Sequence, residues 1–147
     1  MKKAFTMVIV LMACIFSTIA HAGEFKVYPD ASADEKATEE ANKISLGHTI
    51  TSTIYTTKDS FEKVVAFYKG IAREYKMPGQ EGLVRKLPSG QELKEAYFIF
   101  DEARDLLSAK LWIKIQHPCI GRVEMEGLTP KFQDIRNITS ISVSERK

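Results

Sequence analysis

Apolar residues recur along this chain in two periods, one helical and one of two. Within residues 59–75, Phe61, Val64, Val65, Tyr68, Ile71, Ala72 and Tyr75 fall at i, i+3, i+4, i+7, i+10, i+11 and i+14. That spacing lines one face of a long helix. Asp59 is its predicted cap, Glu62 suits the positive end of its dipole, and Pro78-Gly79 ends it. A thinner stripe of Ala33, Ala37, Ala41 and Ile44 predicts a second helix over about 33–44, with Ser32 and Glu35 spaced as a capping box.

The period of two marks strands. In residues 48–57, Ile50, Ser52 and Ile54 oppose Thr51, Thr53 and Tyr55, and the Thr, Ile and Tyr content suits a pleated surface. Residues 96–100 are apolar on both faces. In residues 110–116, Leu111, Ile113 and Ile115 oppose Lys110, Trp112 and Lys114. With a reversal at 101–105, these two runs predict an antiparallel hairpin. Residues 83–87 read as a short strand and 137–145 as a closing one. Pro118, Gly121, Gly127 and Pro130 make 117–130 read as irregular, with a helical turn at 131–136. The fold class this order predicts is two-layer α+β: one long amphipathic helix on a four- to five-stranded antiparallel sheet, with a peripheral N-terminal helix.

One segment stands apart from both periods. Lys2 and Lys3 precede residues 4–20, which run without a charge or a proline and are followed by Ala20-His21-Ala22. Charge, apolar core and small-x-small site in that order describe a secretory signal peptide over 1–22, cleaved between Ala22 and Gly23. Residues 23–147 then form a single domain, periplasmic or secreted, with no membrane span in the mature form. Leu11-Met12-Ala13-Cys14 also fits the lipid-attachment sequence of bacterial lipoproteins, which makes a membrane-tethered lipoprotein the alternative.

Charge follows from that cleavage. Without Lys2 and Lys3 the 21 basic residues fall to parity with the 19 acidic ones, which leaves no electrostatic case for nucleic acid. Cys14 departs as well, so Cys119 is left without a partner for an internal disulfide.

No cofactor or metal is expected. His117-Pro118-Cys119 sets an imidazole near a thiol, and His48 is the other histidine of the mature chain; a small metal- or thiol-dependent enzyme on His117 and Cys119 is the catalytic alternative. Phosphate loops, nucleophile elbows and paired-cysteine motifs are absent from the sequence. A face is the stronger feature. If Leu111, Ile113 and Ile115 meet the long helix, Trp112 points away from it between Lys110 and Lys114, with Tyr97, Ile99 and Tyr55 beside it. Grouped aromatics on an outer sheet face need cover, from the N-terminal arm or helix or from a partner. Tyr55, Tyr97, Ile99, Lys110, Trp112 and Lys114 are therefore the candidate binding surface, for an envelope protein or a small ligand.

Val27-Tyr28-Pro29-Asp30-Ala31, followed after a gap by residues 54–68 with Asp59-Ser60-Phe61-Glu62-Lys63-Val64 and Phe67-Tyr68, resembles a group of small exported bacterial proteins and lipoproteins. Their pattern is a Y-P-x-A arm, a strand, then D-S-x-E-x-V-x-x-F-Y opening a helix. The resemblance implies an envelope location; with no catalytic motif in the sequence, the expected function is an exported, non-enzymatic binding or structural module of the envelope. It assigns no functional residue.

Overall fold

The period-two segments build most of the molecule. The computed structural model describes residues 24–44, 49–80 and 82–147; the expected signal segment, its expected junction at Ala22 and Gly23, Cys14 and His48 lie outside them. Among the described residues the chain forms, in order, β1 (Ser32–Ala33), α1 (Glu35–Ile44), β2 (Ile50–Thr57), α2 (Phe61–Lys69), β3 (Arg73–Tyr75), β4 (Arg85–Lys86), β5 (Glu92–Ile99), β6 (Leu111–His117), β7 (Cys119–Glu126), β8 (Thr129–Arg136) and β9 (Thr139–Arg146).

All pairings in the main sheet are antiparallel. The order is β1-β2-β9-β6-β5-β3, and β4 joins the same edge of β5 beyond β3. The register sets Phe98 opposite Ile113, Ile113 opposite Val143, and Ile115 opposite Ile141. These residues share one face, and α2 lies on it with Val64 and Tyr68 fully buried. The N-terminal arm closes the same layer: Phe25 packs edge-on to Phe100 at 5.5 Å, and Tyr28 packs edge-on to Phe67 at 5.3 Å. Tyr68 keeps its hydroxyl satisfied by donating to the Lys26 carbonyl at 3.1 Å. Fully burying one such side chain contributes about 1.5–3 kcal/mol. The core therefore lies on one side of the sheet.

The architecture corrects the α+β expectation: it is mostly β, and the long amphipathic helix is absent. α2 spans nine residues and ends at Gly70, whose N–H bonds back to the Phe67 carbonyl. Ile71 and Ala72 both donate to the Tyr68 carbonyl, completing a turn, and Arg73–Tyr75 then pairs with β5. Ile71 and Ala72 still pack against the core, so their helical spacing is satisfied by a turn. The ladder to β5 decides the rest, because an unpaired strand edge leaves a row of backbone donors and acceptors open. Ser60 caps α2 by accepting from Lys63 N–H; Asp59 does not cap, and accepts instead from the Tyr28 hydroxyl at 2.6 Å.

Two further expectations change. Ser32 belongs to β1, opposite Thr56, and the start of α1 is held by Asp34, whose Oδ1 accepts from Ala37 N–H at 3.0 Å. Residues 117–136 are neither irregular nor helical. β7 and β8 form a hairpin of their own, inserted between the neighbouring strands β6 and β9 and turning at Gly127 with φ 62°. Pro130 is tolerated because this two-stranded ribbon has free outer edges.

A candidate binding cleft on the outer sheet face

Strand alternation that sends the core residues to α2 sends their neighbours to the other face. One cross-strand row there reads Tyr97, Lys114, Ser142 and Ile54, and the next reads Ile99, Trp112, Ser144 and Ser52. β9 supplies Ser140, Ser142 and Ser144 to this face ahead of Arg146 at its end, so its middle is low. α1 rises beside β2, and β7 rises beyond the ends of β6 and β9. Between them lies a cleft of about 250 Å³ lined by Ala37, Ala41, Ile54, Lys114, Ser142 and Val123, among others. A second hollow of about 310 Å³ lies over the β5 edge, with Tyr75, Leu83, Arg85, Glu95 and Tyr97 in its lining.

Lys114 stands between the two hollows. Its nearest acid is Glu95, with Nζ 3.8 Å from Oε1, and Glu95 is also ion-paired to Arg85. Burial pulls the ammonium pKa down, and Glu95 restores part of it. Among the described residues Lys114 Nζ has no hydrogen-bond partner within 3.5 Å, and neither does Ser142 Oγ. The flanking serines are satisfied: Ser144 Oγ lies 3.2 Å from Ser52 Oγ, and Ser140 Oγ donates to the Gln116 carbonyl at 3.4 Å. Tyr97 is pushed up to about 12 by burial, with Glu95 adding to the rise. At the cleft mouth Arg122 pairs with Glu124 at 2.5 Å and with Glu40 at 3.8 Å.

The far end is closed by a polar clasp. Arg136 Nη2 meets Asp34 Oδ2 at 2.7 Å and Cys119 Sγ at 3.3 Å, tying the start of α1 to the β7–β8 hairpin. Burial raises the Cys119 thiol pKa, against the lowering effect of Arg136.

Of the residues singled out from sequence, Tyr97, Ile99, Trp112 and Lys114 come together on this outer face. Lys110 is exposed just before β6, where its N–H donates to Asp101 Oδ2 at 2.6 Å. Tyr55 is on the opposite face: it pairs with Ile141 and packs against the core. Trp112 is half-buried, and the Arg146 guanidinium sits 5.5 Å above its ring. The N-terminal arm covers the core face, so the outer face is bounded by α1, Arg146 and the hairpin instead. His117 and Cys119 are not brought into one site. His117 Nδ1 is 3.3 Å from Thr139 Oγ1 on the side of α2, whereas Cys119 lines the cleft. Among the described residues no group of three or more His, Cys, Asp or Glu side chains is placed to hold a metal ion, and no helix is long and apolar enough to cross a membrane.

Sequence reasoning missed the hairpin wall and the empty place above Ser142. The alternation of Ser140, Ser142 and Ser144 was the available signal for a low floor; nothing local revealed that β7 would stand over it.

Fold and site together define a mostly β chain with a walled cleft on the uncovered face of an antiparallel sheet. No protein-family model, curated protein or solved structure matches it.

Proposed function

We propose that this chain is an exported, non-catalytic binding module of the cell envelope whose ligand occupies the cleft over Lys114 and Ser142. One observation carries this reading. A half-exposed ammonium and a hydroxyl, neither hydrogen-bonded within the protein, share a cross-strand row at the bottom of a cleft whose lining includes Ala37, Ala41, Ile54 and Val123. A few convergent polar groups beside apolar residues are what a small-molecule site needs. The signal-like N-terminus and the resemblance to small exported proteins support the compartment.

Release of small molecules from the purified protein tests the site. Wild-type protein is denatured after gel filtration and the supernatant analysed by mass spectrometry, beside Ser142→Phe, which fills the cleft. A molecule released by wild type and missing from the folded variant is the expected result; equal recovery from both, or none from either, rejects the cleft. N-terminal sequencing tests export: a chain beginning at Gly23 in the periplasmic fraction is expected. A chain retaining Met1 in the cytosol rejects it, and an acylated Cys14 terminus would establish the lipoprotein form instead.

A further inference from the structure

Which ligand the cleft takes follows from its charges and its size, granted the binding role proposed above. Arg122 is drawn off by Glu124 and Glu40, and Arg85 by Glu95. Lys114 is left as the lining cation with no hydrogen-bonded acid, its contact to Glu95 lying at 3.8 Å. One available positive charge suits one negative charge. An ammonium has three donors, and the adjacent Ser142 hydroxyl adds a fourth, an arrangement that fits the several acceptor sites of a single carboxylate. The walls carry Ala37 and Ala41 from α1 and Ile120 and Val123 from β7, with the Glu40 and Arg122 pair between them. At about 250 Å³ the space is below the roughly 300–1,000 Å³ of sites for drug-sized ligands, which suits a small ligand.

We propose that the cleft binds a short-chain aliphatic monocarboxylate, its carboxylate on Lys114 and Ser142 and its tail between α1 and β7. A docked carboxylate supplies the hydrogen-bonded acid that Lys114 lacks, its contact to Glu95 being long at 3.8 Å. Glu95 does not block the arriving anion, because Arg85 neutralises it from the far side.

Octanoate and 1-octanol, which share a tail and differ in charge, separate this proposal from the broader one. Binding to the purified protein is measured by calorimetry, with emission from Trp112, the only tryptophan, as a second readout from the same face. Octanoate is expected to bind saturably and 1-octanol roughly ten- to a hundredfold more weakly, the range for losing hydrogen bonds to a charged group. Lys114→Met should bring octanoate down to the level of the alcohol, and Ser142→Ala should weaken it roughly tenfold. Circular dichroism confirms that each variant is folded, and Lys114→Gln replaces the methionine variant if that one is not. Equal affinity for octanoate and octanol, or octanoate binding unchanged in Lys114→Met, overturns carboxylate recognition and leaves the cleft standing as a binding site. Absence of octanoate binding also overturns it, while the release experiment decides separately whether the cleft holds any ligand.

Discussion

Asn42 on α1 and Ser52 on β2 exchange two hydrogen bonds: Asn42 Nδ2 donates to the Ser52 carbonyl at 2.8 Å, and Ser52 N–H donates to Asn42 Oδ1 at 2.9 Å. One helical turn earlier, Thr38 Oγ1 accepts from Ile54 N–H at 2.9 Å, and Asp34 N–H donates to the Ile54 carbonyl at 2.8 Å. Residues 34, 38 and 42 thus stand in for a missing strand along the outer edge of β2. Strand edges left open recruit other chains; here helix side chains occupy the edge and also position the cleft wall. Asn42→Ala should therefore destabilise the protein by at least about 1–3 kcal/mol, from the two hydrogen bonds to Ser52 at about 0.5–1.5 each, with the Asn42 Nδ2 bond to the Thr38 carbonyl lost as well. Urea unfolding measures this. Asn42→Asp keeps only the acceptor and should fall close to the alanine variant; a wild-type midpoint in either would show that the edge is held by other means.

The clasp at the cleft end separates two roles of one carboxylate. Asp34 Oδ1 caps α1 while Oδ2 holds Arg136. Asp34→Asn keeps a capping oxygen and loses the ion pair, whereas Asp34→Ala loses both. The alanine variant should be the less stable of the two by about 0.5–2 kcal/mol, the value of a helix cap. Thermal melts of the pair measure the gap; identical melting would remove the capping role.

Acid stability should depend on Asp101. Its carboxylate accepts backbone N–H groups from Ala103 at 2.9 Å, Lys110 at 2.6 Å and Leu111 at 3.1 Å, drawing together the connection between β5 and β6. Burial pushes its pKa up, but the three N–H groups and the Lys110 charge outweigh this and hold it below the ordinary carboxylate value. A folded-state pKa below the unfolded one gives stability that is present above the unfolded value, about 3.9. That stability is lost as the pH falls through the folded value. Asp101→Asn should lower stability at pH 7 and flatten its decline below about pH 5. An unchanged acid profile in denaturant unfolding would assign the decline to other carboxylates.

Cys119 should be unreactive in the native protein. It is 1% exposed, and burial raises its pKa, so little thiolate forms at neutral pH and reagents have no access. A chromogenic disulfide should label it slowly without denaturant and at the rate of a free thiol in urea. Fast native labelling would revive the thiol-dependent enzyme reading.

How much of this was legible can be followed through particular residues. Alternation in β2, β6 and β9 was readable because a period of two has no other folded solution, and it carried Trp112 and Lys114 to their shared face. Phe61, Val64, Val65 and Tyr68 called for a helix and obtained one. Tyr55 was misassigned because alternation divides a strand into two sides without saying which side meets the core; the register with Ile141 supplies that.

The chain alone determined the local periods and the order of charge, apolar run and small residues at its N-terminus, because each depends only on residue order and count. Tertiary structure decided where α2 stops, that residues 119–136 fold back as a ribbon, and that this ribbon and α1 enclose the space above Ser142. Those outcomes depend on which backbone edges lie open and what is near enough to close them, and open edges exist only once distant segments have paired.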